Sequence, residues 1–495
     1  MNEPAAGPRA GLGRTALFGA ASQILSRGGR ALVGVATVAI LSSYMGPAEF
    51  GIAAMILFIM LFAQLFTDFG LRVALVQRET ISEIELCSVF WFSVGIGLLI
   101  SILIYLGSDL IALGFQEPRL GRYVEMISGV FVIAAARGIP MVLLERSFRF
   151  PAIASSEIGG AVTGGVAAVL AAWAGYTVEA LVLQQIVMTV VPTVMNFVSA
   201  RWLPRLQFSF AAIRPMLGFG ASVTATAMIG FLAGNIDRPI LATRLSAKDL
   251  GLFAIAGQIV ATPIRTVAMN ARRVTFPILA SIQNDNVRVA AAHRDSLHAM
   301  FILLAPVCFG LAALSNPFVD VLLGRGWELA GPLVGISAVS ALLWSVSELN
   351  SAIFTVKGAV NFMLRWSIFA LAGTIAIFLL AAPYGLLAIA WARLVWNIVS
   401  VALHCWFLAR RLDCSVGTLV MPLGRPVLAA SIMAVIVYGV DMQLVQHGLS
   451  SLLRLVIGVP LGVVSYAGLI LLVDRERVKS MVDRIRVRRS DAPPP

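Results

Sequence analysis

Fourteen apolar stretches follow one another along the chain with only short polar breaks, and all but the one at 426–441 reach the roughly 20 residues that a helix needs to cross a bilayer. We read them as helices at 14–43, 50–76, 86–107, 122–144, 153–174, 178–201, 216–238, 250–282, 296–315, 331–356, 363–382, 385–409, 426–441 and 452–473. No soluble domain can bury that much hydrocarbon. The charged fraction agrees, at 13% with 59% hydrophobic residues, where a soluble domain carries about 25% charged residues. The expected fold class is therefore all-α, a polytopic membrane protein of about 14 transmembrane helices. Its longest loops, about 315–331 and 410–425, are too short for a soluble catalytic domain. Any chemistry or binding must then occur among the helices.

The net charge of +12 would ordinarily raise nucleic-acid binding. Here the basic residues are scattered over short loops and a tail, and no nucleic-acid partner is expected. With the N-terminal side taken as inside, twenty-two of the 37 Lys and Arg fall in inside segments and seven outside. This is the positive-inside bias of a multi-pass protein, and it places both termini in the cytoplasm. Trp91, Trp202, Trp366 and Trp406 fall near inside ends, as interfacial anchors. The N-terminal apolar run, preceded by Arg9 and Arg14, is too long for a cleaved signal.

The chain repeats itself. GPAEFGIAA at 46–54 matches SAKDLGLFA at 246–254, which puts Gly51 over Gly251, and FGA at 18–20 matches FGA at 219–221. A weaker echo pairs GYTVEAL at 175–181 with PYGLLAI at 383–389. These matches predict two pseudo-symmetric six-helix bundles plus two C-terminal helices. The expected divisions are a cytoplasmic N-terminus at 1–13, bundles at 14–205 and 206–410, two further helices within 411–473, and a basic cytoplasmic tail at 474–495. Parallel repeats of this kind place a substrate path at the repeat interface.

Eight arginines remain inside the predicted membrane segments: Arg27, Arg30, Arg72, Arg137, Arg265, Arg272, Arg273 and Arg393. A charge at the bilayer centre costs about 2.5–3.5 kcal/mol on insertion scales, so such residues face a bundle interior or a wet cavity. Arg27, Arg137 and Arg265 come from different helices yet lie about 22–25 Å from the outer ends, at one level of the inner half. Arg30 is three residues from Arg27, and Arg272 is seven from Arg265. A cavity lined by Arg27, Arg30, Arg137, Arg265 and Arg272 would attract an anion, and the guanidinium fork suits phosphate. The plainer alternative is that each arginine snorkels or meets an acid, which fits Arg72, Arg272 and Arg273 near helix ends. Among the acids, Asp68, Asp237 and Glu348 are candidates for binding a coupling ion. Equally, each of these and Glu157 could serve only to neutralise an arginine. Glu348, in SVSELN, is preferred because its sequence neighbours are polar but not basic. Pro140, Pro192, Pro263 and Pro277 interrupt helices and permit bends.

No GxxxxGK[ST] or GxSxG motif occurs, and the four histidines make no HExxH set. Cys87, Cys308, Cys405 and Cys414 show no CxxC spacing. No cofactor, metal or enzymatic activity is expected.

The stretches YMGPAEFGIAAM and FTDFGLRVALVQR resemble the start of polysaccharide exporters, and so do LERSFRFPAIA, DRPILATRLSAKDLGLFAIA, FPILASIQND and LLGRGWELAGPLV. Over about 14–425 the chain resembles the Wzx-type lipid-linked oligosaccharide flippases, in the polysaccharide transporter branch of the multidrug/oligosaccharidyl-lipid/polysaccharide exporter superfamily. The resemblance implies two six-helix bundles around a central cavity. It implies alternating-access export, coupled to H⁺ or Na⁺, of a sugar unit on an isoprenoid diphosphate of the undecaprenyl type, across a bacterial inner membrane. Besides that lipid and the surrounding membrane lipids, a polysaccharide polymerase and a chain-length regulator are plausible partners. Basic residues of the first bundle bind the diphosphate in such families, which would carry to Arg27, Arg30 and Arg137. Three alternatives stay open: a multidrug/cation antiporter, a membrane glycan polymerase or ligase, and a scaffold without transport. The antiporter would want an acidic cavity, the polymerase or ligase a large outside loop, and the scaffold no buried arginines.

Overall fold

In the computed structural model the described residues, 28–474, fold into helices without a strand. The chain divides into two units, Met1–Ala254 and Ile255–Pro495. Helices of the first are α1 (Gly28–Leu41), α2 (Pro47–Thr67), α3 (Leu71–Gln77), α4 (Glu83–Leu106), α5 (Ser108–Phe115), α6 (Leu120–Ile127), α7 (Val130–Ala136), α8 (Gly138–Arg146), α9 (Phe150–Trp173), α10 (Val178–Ala200), α11 (Phe210–Asn235) and α12 (Asp237–Arg244). Helix α13 (Ala247–Ser281) starts in the first unit and runs into the second. The second continues with α14 (Asn286–Ala313), α15 (Ser315–Leu323), α16 (Ala330–Val356), α17 (Val360–Ala381), α18 (Leu386–Arg411), α19 (Val416–Gln446) and α20 (Ser451–Val473).

Thirteen of the described helical segments are long and apolar enough to cross a membrane, with α6–α8 counted as one segment. The chain is a multi-pass membrane protein. The first expected span, 14–43, is described only from Gly28, as the 14-residue α1, and its earlier part lies outside the described residues.

Several boundaries correct the reading from sequence. The span expected at 50–76 breaks at Asp68-Phe69-Gly70, where Phe69 (φ 46°) and Gly70 (φ 66°) both take the left-handed conformation. The Asp68 Oδ1 accepts the Gly70 N–H at 3.1 Å and fixes this turn. The expected inside loop at 410–425 is mostly helix, because α19 begins at Val416 with the Ser415 hydroxyl accepting the Thr418 N–H at 3.2 Å. Prolines and glycines at 417–426 read as loop, yet α19 absorbs Pro422 and Pro426. Helix α14 starts ten residues before the expected 296, capped by Asp285, whose carboxylate accepts the Arg288 N–H at 3.0 Å. The expected outside loop at 315–331 contains α15.

Glycine sets the closest approaches in the first unit. A Cβ on Gly51 would collide with the carbonyl oxygen of Ala247, and one on Gly251 with that of Pro47. These four residues are equivalent pairs of the 46–54 and 246–254 repeat, so the two copies touch each other reciprocally where α2 meets the start of α13. A Cβ on Gly70 would meet the Gly220 backbone at 2.5 Å, which seats the turn after α2 against α11. Around that contact Leu71, Leu75, Phe90, Val142, Ile213 and Met216 form a buried cluster. The second unit has its own cluster around Ile353, Phe354, Leu408 and Leu419.

Candidate functional site

Helix α9 carries a stripe of small residues, Ser156, Gly160, Gly164, Ala168 and Ala172, all buried at four-residue spacing. Small residues let membrane helices approach closely. Gly160 and Gly164 meet Pro192 and Met188 of α10, while Gly165 meets Thr37 of α1. This packing brings Arg30 of α1 beside Glu157 of α9. On the other side stands Arg137, at the junction of α7 and α8. Three residues later, Pro140 offers no N–H to the Ala136 carbonyl, which accounts for the break there.

Glu157 is shared between the two arginines. Its Oε2 lies 3.2 Å from Arg30 Nη1, and its Oε1 lies 3.4 Å from Arg137 Nη2. Each carboxylate oxygen thus meets one nitrogen, and neither guanidinium uses its two-pronged fork. The Nε atoms of Arg30 and Arg137 are buried and have no hydrogen-bond partner among the described residues. Two cations on one anion leave a surplus positive charge within the membrane-spanning helices, with unused donors. Only Arg30 is as much as 40% exposed; Arg137 and Glu157 are at 22% and 17%. Arg27 lies outside the described residues.

Arg265 and Arg272 belong to the second unit. The Arg265 guanidinium sits 5.3 Å from the ring centroid of Trp344 on α16, a cation–π distance. Two turns along α13, Arg272 Nη1 lies 2.6 Å from Glu348 Oε1. Glu348 is four residues after Trp344, so α13 and α16 are joined by two rungs. The expectation that Glu348 stands among non-basic neighbours is thereby corrected: its partner comes from another helix, which sequence adjacency cannot show.

The other candidates sit at helix ends. Asp68 is engaged in the turn after α2. Asp237 is the first residue of α12, and its Oδ1 accepts the Arg238 N–H at 3.0 Å, where a helix N-terminus favours a carboxylate. Arg72 lies 4.0 Å from Glu145. Arg146 donates to the carbonyls of Leu75, Val76, Arg78 and Glu79, closing the C-terminus of α3.

One cluster had no signal in the sequence. Pro426 has no N–H for the Pro422 carbonyl, and His298 Nδ1 lies 2.9 Å from that oxygen. A carbonyl only accepts, so Nδ1 carries the proton. The other ring nitrogen lies 2.6 Å from Asp474 Oδ2, while Asp474 Oδ1 accepts from Arg425 Nη1 at 2.8 Å. The Asp474 side chain is wholly buried. It ties the end of α20 to α14 and α19.

Comparison with known proteins gives the family. Residues 40–332 match the family described as polysaccharide biosynthesis protein. The chain belongs to that family. Teichuronic acid biosynthesis protein TuaB of Bacillus subtilis (strain 168) is 25% identical over 82% of this chain and 84% of its own length. Succinoglycan biosynthesis transport protein ExoT of Rhizobium meliloti (strain 1021) is 27% identical over 95% of this chain and 96% of its own. Lipopolysaccharide biosynthesis protein WzxC of Escherichia coli (strain K12) is 27% identical over 68% of this chain and 69% of its own. Among solved structures, the lipid II flippase MurJ in an inward closed conformation aligns with a TM-score of 0.75 at 14% identity, covering 93% of this chain and all of that one. An inward-facing multidrug resistance MATE family transporter of the MOP superfamily gives 0.55 at 14% identity, over 78% of this chain and 94% of the other. These two likenesses are of fold alone: the chain shares the helical architecture of these two structures.

Proposed function

We propose that this family member is a flippase. It carries an oligosaccharide unit on an isoprenoid diphosphate, of the undecaprenyl type, from the cytoplasmic to the outer face of a bacterial inner membrane, for exopolysaccharide or lipopolysaccharide synthesis. It acts as a transporter and not as an enzyme. The observation that carries the reading is Glu157 shared between Arg30 and Arg137. A surplus guanidinium with unspent donors, held within membrane-spanning helices, fits a diphosphate head group, for which the arginine fork is geometrically suited. Arg27 of the first unit, and Arg265 and Arg272 of the second taken by itself, are the further arginines proposed to meet the head group. Both termini are assigned to the cytoplasm, and a polymerase and a chain-length regulator are the pathway partners.

Transport runs by alternating access with ion coupling, for which Glu348, Asp68 and Asp237 are the carboxylates assigned. Glu348, paired with Arg272, is released to take an ion only when that pair opens. The multidrug/cation antiporter is the second reading, and the sign of the charge disfavours it. Glu157 and Glu348 both stand against arginines, so a cationic drug would meet repulsion at either place.

Single replacements of Arg30, Arg137, Arg265 and Arg272 by Ala test the site. Export should fall at least about tenfold for the residues that hold the head group, with the protein still present in the membrane. Arg137→Lys keeps the charge and loses the fork, so partial loss marks bidentate phosphate contact. Wild-type export in all four alanine variants would refute the basic site.

A further inference from the structure

Arg72 is a charged group with poor partners. It stands in the first turn of α3, which the left-handed turn at Phe69-Gly70 and the contact of Gly70 with Gly220 hold in place. Its Nη1 donates to the thioether sulfur of Met141 at 3.1 Å, and a thioether is a weak acceptor. Its Nη2 lies 4.0 Å from Glu145 Oε1, beyond hydrogen-bond reach. Among the described residues no oxygen accepts from this guanidinium, and the side chain is 36% exposed. Arg146, at the other end of α3, is the contrast: it spends its donors on four carbonyls.

The sulfur that holds Arg72 belongs to the same helical turn as Arg137. The Met141 N–H donates to the Arg137 carbonyl at 3.2 Å, so the two side chains stand one turn apart on one side of α8, with Glu145 one turn further on. The charges of Arg30 and Arg72 both bear on Arg137. Three guanidiniums thus gather in the first unit. Glu157 bridges two of them, and the third rests on sulfur. Depth orders them. The membrane-spanning segment formed by α6–α8 ends at Arg146. Counted back from that end, Met141 lies about 7 Å and Arg137 about 13 Å into the segment. On the positive-inside count that end faces the cytoplasm. A charge-assisted bond to an anionic oxygen is roughly twice as strong as a neutral one, so a phosphate would displace the thioether.

We propose that Arg72 is a third guanidinium of the head-group site, held on Met141 until a phosphate oxygen takes the place of the sulfur. Standing nearer the cytoplasmic end, it meets the diphosphate first, ahead of Arg137 and Arg30. The assignment rests on the flippase reading above and adds a residue to its site. It also reverses the plainer expectation for Arg72, that it only snorkels or meets an acid.

The whole protein, reconstituted in nanodiscs, is titrated with inorganic pyrophosphate. Arg72→Ala should weaken binding about tenfold. Arg72→Lys keeps the charge and loses the fork, so it should weaken binding less. Met141→Leu keeps the volume and removes the sulfur. Arg72 then has no resting bond to give up, and pyrophosphate should bind about two- to threefold more tightly. Arg78→Ala is the control for charge alone. Arg78 caps the C-terminus of α3 and is paired with Glu85, and its loss should leave binding unchanged. Arg72→Gln, which keeps most of the stem, repeats the test should the alanine variant unfold early. Wild-type affinity in Arg72→Ala and Arg72→Gln alike would overturn the assignment, and so would an equal loss in Arg78→Ala. Met141→Leu binding no tighter than wild type would overturn the exchange of sulfur for phosphate. Failure of the wild type to bind pyrophosphate would instead overturn the head-group reading itself.

Discussion

At the scale of single residues, the chemistry turns on how buried charges are shared. Glu157 neutralises one of its two arginines' worth of charge, so its removal and theirs have opposite consequences. Glu157→Gln leaves two unneutralised guanidiniums near each other within the helices. Folding should suffer by about the 2.5–3.5 kcal/mol of an uncompensated membrane charge, while pyrophosphate binds about tenfold more tightly. Thermal unfolding and equilibrium binding on one purified sample check both signs. Arg137→Ala should lose binding; a variant in which binding survives would take Arg137 out of the site. His298 makes a second residue-level case. His298→Ala strands the Pro422 carbonyl and removes one of the two partners of Asp474, and stability should drop by about 1–3 kcal/mol. Unchanged thermal unfolding would show that the contact is not formed in the membrane.

At the scale of elements, glycine contacts and one buried ion pair hold helices together where hydrophobic attraction between them is weak, since lipid is as apolar as a side chain. Gly51→Ala or Gly251→Ala would force α2 and α13 apart at their reciprocal contact. Each should destabilise by about 1–3 kcal/mol or more. Gly95→Ala on α4, where a Cβ meets nothing within 4 Å, should be neutral or slightly stabilising, because alanine is the better helix former. At the other end of the chain, Arg454 of α20 makes two hydrogen bonds to Asp441 of α19, at 2.8 Å and 2.6 Å, with both side chains buried. Asp441→Asn alone should cost about 3–5 kcal/mol, and exchanging both residues for apolar ones should recover most of it. Helix elements were legible from apolar runs, but their ends were not. Prolines near 422–426 and the polar start of α14 carry the composition of loops, while the Ser415 cap, the His298 contact and the Asp285 cap support those stretches as helix. The break at Phe69-Gly70 was hidden because long apolar stretches stand on both sides of it.

At the scale of the whole molecule, composition and periodicity give a multi-pass helical protein, and the doubled 46–54 and 246–254 segments meet as partners in space. The residues of the proposed basic site stand in the sequence as arginines in apolar runs. Their partners were not legible, because Arg30 meets Glu157 and Arg272 meets Glu348 across more than seventy residues of sequence. Family membership and the exporter fold make translocation of a lipid-linked glycan the central claim. The most direct test is to delete the gene in its host, extract the lipid-linked oligosaccharides, and use an impermeant probe to find which membrane face they occupy. Complete units trapped on the cytoplasmic face, and returned to the outer face by the wild-type chain but not by Arg137→Ala, are the predicted result. Units that reach the outer face in the deletion strain, or lipid-linked sugars that do not change at all, would contradict it.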